Sequence, residues 1–365
     1  MVTALRRPTA ADAKSTNFTK SLWSHSFVVL VIFVFVVVFV SAFAAEPLRR
    51  DLAVARAGCD AGGGGPQPMS AVSSQPPVGR SMAITIDDLP KSNGLDDVAG
   101  TRRTTESMIR VLKAHKAPAV SFVNEGKLYS GPTMVPERAA LLQLWVDAGF
   151  PLGNHTYSHL DINNVPLEKY QDDVVRGERT STRLMRGIAG DRWFRHPYTH
   201  TGPTREIKAG LEKFLAGRGY RIAPFTIENS DWIFSAAYAK AKAAGDEALA
   251  TKVREAYLDY TDAMVTWFET VATETFGRDV PQILLIHTNE INTDALDALL
   301  TRTEQRGYRW VTLGDAMKDT AYATPDDYVG TSGPSWLHRW RVAKALPPRM
   351  SDEPDPPQWI LELMK

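Results

Sequence analysis

The residues best suited to chemistry are two adjacent acids, Asp87 and Asp88, in the stretch TIDDLP at Thr85–Pro90. They follow the apolar run Met82–Ile86. Neighbouring side chains in a strand point to opposite faces. One acid inside a strand would face a packed core, where a charge is costly unless paired or metal-bound. The pair fits a place where a strand ends and a site begins, and a solvated acidic turn is the alternative. His155 and His159, in GNHTYSH at Gly153–His159, are four residues apart. One helical turn would bring both imidazoles to one face, a spacing that suits a divalent metal. Taken alone, that spacing is explained equally well by two solvated histidines. A carboxylate from another strand end would complete a two-histidine, one-carboxylate set with positions left open for water. Such a set is catalytic rather than structural in style.

Three further clusters carry polar groups. Arg195 opens RHPY at Arg195–Tyr198. A surface salt bridge is the usual fate of an arginine. At a strand end beside two acids, it instead orients whichever acid is not on the metal. Pro197 fixes φ and lacks an N–H, which leaves the Tyr198 N–H to point into the site. Asp231, in NSDW at Asn229–Trp232, is either the N-cap of a following helix or the carboxylate partner of His287, which closes LIH at Leu285–His287. A histidine held by a carboxylate keeps its tautomer and is raised toward the protonated form.

The elements that must position these groups alternate along the chain. Strands are expected at Met82–Ile86, Ala119–Val123, Phe150–Gly153, Trp193–Phe194, Tyr220–Ile227, Gln282–Ile286 and Tyr308–Thr312, from their apolar runs. Helices are expected at Thr101–Ala114, Pro136–Ala148, Pro166–Gly187, Pro203–Ala216, Asp294–Gln305 and Leu313–Lys318, with a long helical region at Phe234–Phe276 broken at Gly245. Repeated strand–helix units imply a parallel sheet, either closed as a barrel or open and doubly wound. In such folds chemistry collects at the C-terminal ends of the strands, and all five polar clusters fall at expected strand ends.

The 365 residues suffice for a substantial core, and 42 acidic residues balance 42 basic ones. No basic field points to nucleic acid. Residues 1–44 read as an export signal, with Arg6, Arg7, Lys14 and Lys20 before the apolar run Phe27–Val40 and an A-x-A pattern at Ala42-Phe43-Ala44. An uncleaved membrane tether through residues 22–44 is the alternative. The expected location is therefore periplasmic, extracellular, or anchored to the outer side of the inner membrane. Residues 45–80 form a Gly/Pro/Ser-rich linker. The single cysteine, Cys59, excludes an intrachain disulfide. Residues 81–320 are the expected catalytic domain, and 321–365 a C-terminal extension whose Trp336, Trp340 and Trp359 pack on it.

Taken together, the five clusters resemble the motifs of the polysaccharide deacetylase family, the NodB-homology domain of carbohydrate esterase family 4, in order and over about Ser81 to Lys318. The resemblance implies an α/β fold, a distorted (β/α) barrel of about seven parallel strands. It implies Asp87 as catalytic base and Asp88, His155 and His159 as ligands of a divalent metal, zinc most often and other divalent ions in some members. It further implies Arg195 orienting the base, the Tyr198 N–H as oxyanion donor, Asp231 tuning the acid, Trp232 and Leu285 as apolar walls, and His287 as general acid. The implied reaction releases acetate from N-acetylated, or alternatively O-acetylated, polysaccharide or peptidoglycan. Two other readings compete: a small-molecule amide or imide hydrolase on the same fold, and a non-catalytic polysaccharide-binding protein. Leu89-Pro90 stands where a glycine often follows the acids, RHPY lacks a glycine soon after its proline, and Glu228-Asn229 replaces a common aspartate. These departures concern the cleft shape, and the segment Ala236–Phe276 is long enough to roof it.

Overall fold

A near-continuous apolar run such as Met82–Ile86 suits a strand covered on both faces, as parallel sheets are. The computed structural model describes residues 79–365 except 94 and 96. The export signal, the linker up to residue 78 and Cys59 lie outside the described residues. Among the described residues no helix is long and apolar enough to cross a membrane.

The strands are β1 (Ser81–Leu89), β2 (Ala119–Val123), β3 (Tyr129–Ser130), β4 (Thr133–Met134), β5 (Leu152–Asn154), β6 (Arg192–Phe194), β7 (Tyr220–Ile222), β8 (Ile227–Glu228), β9 (Gln282–His287) and β10 (Arg309–Trp310). Strands β3 and β4 form a separate antiparallel ribbon. The main sheet runs β7-β6-β5-β2-β1-β9-β8, with β10 beside the start of β1. Every pair in it is parallel. Seven parallel strands thus form a curled, irregular half-barrel in an α/β fold, with β10 an eighth parallel strand beside β1.

One segment expected as a single strand, Tyr220–Ile227, is divided. Ala223 N still donates to Phe194 O at 2.8 Å on the β6 side, but Thr226 N donates to Ile283 O at 2.9 Å on the β9 side. The run changes partner over four residues and so bridges the two ends of the curled sheet. Apolar periodicity carries no signal for such a switch.

The helices are α1 (Val98–Ala114), α2 (Pro136–Asp147), α3 (Leu167–Arg176), α4 (Arg179–Leu184), α5 (Arg205–Gly217), α6 (Asp231–Ala243), α7 (Glu247–Phe276), α8 (Glu290–Gln305), α9 (Leu313–Ala316), α10 (Trp336–Ala343) and α11 (Gln358–Met364). Asp97, Thr204, Asp246 and Asn289 cap α1, α5, α7 and α8 by accepting backbone N–H bonds. The expected helix Pro166–Gly187 is two helices. Gly177 sits at the break, and a Cβ there would overlap the Thr156 backbone, so the break lets the chain pass close beneath the His155–His159 loop. The core joins β1, β2 and β9 to α1, α6, α7 and α8 through residues such as Ile84, Phe122, Phe234, Phe268, Leu284 and Leu296. After α9, α10 packs on α7 and α11 on α6, burying Trp336 and Trp340.

Candidate active site

Strand β1 does not end before its acids. It continues to Leu89, and the register with β2 shifts between Ile86 and Leu89. Asp88 takes φ 75°. An irregularity of this kind breaks the alternation of faces, and both carboxylates line one pocket. The conflict posed by two adjacent acids in a strand is thus resolved by a local bulge rather than by the strand ending.

His155 and His159 lie on no helix, contrary to the helical-turn expectation. They sit in the loop after β5, where Thr156 (φ 64°) and His159 (φ 54°) are left-handed. The loop is heavily pinned. Asn154 Oδ1 accepts from Thr156 N at 2.7 Å, Thr156 Oγ1 from His159 N at 3.0 Å, and Asp173 Oδ2 from Ser158 N at 2.8 Å. Asn124 Nδ2 donates to His155 O at 2.6 Å. The two rings meet edge to face, 4.9 Å apart.

A donor atom from each of Asp88, His155 and His159 lies within 4.8 Å of the other two. Asp88 Oδ1 is 3.8 Å from His155 Nε2 and 3.6 Å from His159 Nε2. It is buried and accepts no hydrogen bond. His155 Nδ1 donates to Arg195 O at 2.8 Å, which turns the Nε2 lone pair toward Asp88. Burial lowers His155 to about 4, and burial with the neighbouring His155 ring lowers His159 to about 4. Both imidazoles are therefore neutral near pH 7, as ligands must be. Burial alone would raise Asp88, but Lys127, His287, His159 and His155 together hold it below the usual carboxylate range. The donor set fits a divalent ion.

Asp87 is buried beside this trio, its Oδ2 3.8 Å from His155 Nε2. Arg195 Nε faces Asp87 Oδ1 at 4.0 Å, an ion pair without a hydrogen bond. The Arg195 side chain fills the half-barrel interior between Phe122 and Phe225 and donates to Thr85 Oγ1 at 2.7 Å. Burial pushes the Asp87 carboxyl up, against the opposing pull of Arg195 and His287.

Across the pocket, Asp231 begins α6, with Ser230 as the N-cap residue. The Asp231 carboxylate does not cap its own helix through Ser230's position but reaches β9. Its Oδ1 bonds His287 Nδ1 at 2.7 Å, and its Oδ2 accepts from His287 N at 2.7 Å, Asn289 Nδ2 at 3.0 Å and Asn292 Nδ2 at 2.6 Å. Burial would lower His287, but Asp231 outweighs it, and with Asp88 and Asp87 pushes the ring up to about 10.

These groups line a cavity of about 510 Å³. Trp232 and Tyr198 lie at its rim, each about half exposed, and Leu285 lies buried in its wall. Tyr198 is left-handed (φ 54°, ψ 11°), and its ring stacks edge-on against His159 at 4.5 Å. All ten residues picked out in the sequence therefore converge on one cavity or, for Arg195 and Asp231, stand directly behind it.

Several contributors escaped the sequence reading. Lys127 Nζ is 3.3 Å from Asp88 Oδ1 and donates to Asp88 O at 3.2 Å. Asn289 and Asn292 complete the Asp231 cradle; the N-cap pattern directly after LIH was the available signal. Phe268 is the residue of the long α7 that lines the cavity. Glu228 also lines it, pushed up to about 7 by burial and then by Asp231. From beyond residue 320 come Gly333, Pro334, Ser335 and Glu353.

Residues 74–211 match the family model for polysaccharide deacetylase. This segment is similar to the polysaccharide deacetylase family. The match takes in Asp87, Asp88, His155, His159, Arg195 and Tyr198, while Asp231, Trp232, Leu285 and His287 lie beyond it. Over 238 residues the chain is 23% identical to a peptidoglycan-N-acetylglucosamine deacetylase of Bacillus cereus, covering 64% of this chain and 66% of that one. Among solved structures it is similar to a family 4 carbohydrate esterase from Streptomyces lividans in complex with acetate, at 17% identity and a TM-score of 0.41, covering 63% of this chain and 91% of the other. It is also similar to a family 4 pseudoenzyme from Bacillus anthracis, at 17% identity and a TM-score of 0.45, covering 66% of each chain. Titratable groups stand on both sides of the cavity, Asp87, Asp88, His155 and His159 on one side and His287 on the other.

Proposed function

We propose that this protein is a metal-dependent hydrolase that removes acetyl groups from N-acetylated polysaccharide or peptidoglycan. The observation that carries the reading is the pairing of two unlike halves across one cavity. On one side a buried Asp87, ion-paired with Arg195 but not hydrogen-bonded to it, stands beside a three-donor set. On the other, His287 is held as a cation by Asp231.

Asp88, His155 and His159 would hold the divalent ion, zinc being the family's usual choice. Bound there, it would acidify water and polarise a carbonyl oxygen. Asp87 takes the proton of the attacking water, and its raised affinity for protons suits it as a base near neutral pH. Arg195 keeps Asp87 ionised and oriented. The Tyr198 N–H donates to the oxygen on which charge develops. His287 Nε2 gives its proton to the departing nitrogen, while Nδ1 stays fixed on Asp231. Water and the acetamide thus become acetate and a free amine. Trp232 offers a half-exposed aromatic face on which a sugar ring can stack.

Export to the cell envelope is part of the proposal, resting on the apolar run Phe27–Val40 and on the polymer named for the relative from Bacillus cereus. The test is acetate release from a panel of N- and O-acetylated glycans, before and after chelation and metal add-back. Release from N-acetylated glycans that a chelator abolishes and a divalent ion restores is expected. No release from any acetylated glycan by metal-loaded protein would refute the reading.

A further inference from the structure

The wall of the cavity formed by Tyr198 and Thr199 is unusual in its backbone. Both residues are left-handed, with φ 54° and 57°. Neither is a glycine, and two such residues in succession persist only where the surroundings over-determine them. The surroundings here come from the chain after residue 320. Thr199 Oγ1 donates to Gly333 O at 2.7 Å. Arg339, fully buried, donates through Nη2 to Thr199 O at 2.8 Å and through Nη1 to Thr201 Oγ1 at 2.9 Å.

Arg339 is itself fixed on every side. Its Nε donates to Pro334 O at 2.9 Å, its Nη1 pairs with Asp326 Oδ2 at 3.1 Å, and its guanidinium lies 4.2 Å over the Trp336 ring. Lys208 Nζ holds the same Asp326 oxygen at 2.7 Å. Ser335 Oγ donates to Thr226 O at 2.7 Å and Trp336 N to Phe225 O at 3.0 Å. These two bonds anchor the segment on the β7–β8 bridge, the most irregular part of the sheet. Gly333 packs so closely that a Cβ would overlap Thr199 Oγ1 and the Tyr198 carbonyl.

We infer that residues 326–339 are a clamp that sets the Tyr198–Thr199 turn, with Arg339 and Gly333 as positioning residues for the reaction. The inference rests on the reading of Tyr198 N–H as the donor to the developing oxyanion. A donor aimed at a transition-state position loses most of its effect when displaced by about 1 Å. The segment therefore acts on turnover, through a turn more than a hundred residues earlier in the chain, without touching the reacting atoms.

The test uses Gly333→Ala, Arg339→Lys and the milder Thr199→Val, with Trp340→Phe as a control. Trp340 packs in the same C-terminal segment, against Tyr322 and Phe276, away from the turn. In metal-loaded protein, Gly333→Ala and Arg339→Lys should lower kcat about 10- to 100-fold while KM and zinc affinity change little. Trp340→Phe should leave kcat unchanged. Amide hydrogen exchange over residues 196–201 should quicken in the first three variants and not in the control. That second measurement does not depend on activity, so it tests the clamp even if no acetylated glycan proves to be a substrate. Folded variants with wild-type kcat, or unchanged exchange over 196–201, would overturn the inference. If the two larger changes prevent folding, Thr199→Val decides it by the same two readouts.

Discussion

Asp231→Asn isolates the electrostatic half of the site. Asp231 accepts four hydrogen bonds, two from His287 and one each from Asn289 and Asn292. With it, His287 is pushed up to about 10 from an ordinary 6.5. At about 1.4 kcal/mol per pKa unit, that rise corresponds to roughly 5 kcal/mol favouring the imidazolium. Part of it comes from Asp88 and Asp87, whose share shrinks when a cation occupies the neighbouring donors, so this is an upper bound. Without the Asp231 charge, burial is left to lower the ring, and His287 should titrate at or below about 6.5. At about pH 7.5 it would then be about one-tenth protonated. The variant's kcat should fall about tenfold there from protonation alone, and about tenfold more for each further pH unit. The assay is acetate release by metal-loaded protein across the pH range. Wild type should keep an alkaline limb above about pH 9, and the variant's limb should move below neutral. An unchanged alkaline limb would refute His287 as the proton donor.

The same pair has a stability signature. A group whose folded pKa is raised stabilises the fold fully below its unfolded pKa and loses that contribution as pH rises through the folded value. Metal-free wild type should therefore lose His287's contribution between about pH 6.5 and 10, and Asp231→Asn should lack that loss. The Asn amide would also face donors from Asn289, Asn292 and His287, at a cost of about 1–3 kcal/mol. Denaturant unfolding of both proteins at the two ends of this window measures the difference.

Other perturbations act on separate parts of the site. Arg195→Met should raise Asp87 further, since Arg195 opposes the effect of burial, and so move the acidic limb of the kcat profile to higher pH. A limb that stays put would dissociate Arg195 from the base. Trp232→Ala should raise KM for a polymeric substrate by removing a stacking face worth about 1 kcal/mol, with zinc affinity intact; an unchanged KM would remove Trp232 from the substrate path. Trp340→Ala should destabilise the fold by about 3–5 kcal/mol in denaturant titrations, because the buried indole packs edge-on against both Tyr322 and Phe276. A loss below about 1 kcal/mol would mean that the C-terminal helices add little to the core.

The site was more legible than the path of the chain that builds it. Asp87-Asp88, His155, His159, Arg195, Asp231 and His287 are readable because each polar cluster interrupts or ends an apolar run, and parallel strands deliver such interruptions to one mouth. How each is delivered was not readable. The acids need a bulge with Asp88 at φ 75°, and the histidines a loop with two left-handed residues. Neither leaves a trace in hydrophobic periodicity. The change of partner between β7 and β8 is likewise decided by neighbours, Phe194 and Ile283, that are remote in sequence. The clamp was hidden for the same reason: Arg339 and Thr199 are 140 residues apart, and an arginine in the middle of a short helix reads as solvated. Burial of its guanidinium among four acceptors is a property of the tertiary fold alone.

The central claim is that one acid of the adjacent pair binds the ion and the other does not. Calorimetric titration of zinc into metal-free wild type, Asp88→Ala and Asp87→Asn tests it most directly, alongside turnover of each. One ion per chain should bind to wild type and to Asp87→Asn, with turnover lost in the latter, and Asp88→Ala should lose both. Wild-type zinc affinity in Asp88→Ala, or full turnover in Asp87→Asn, would contradict it.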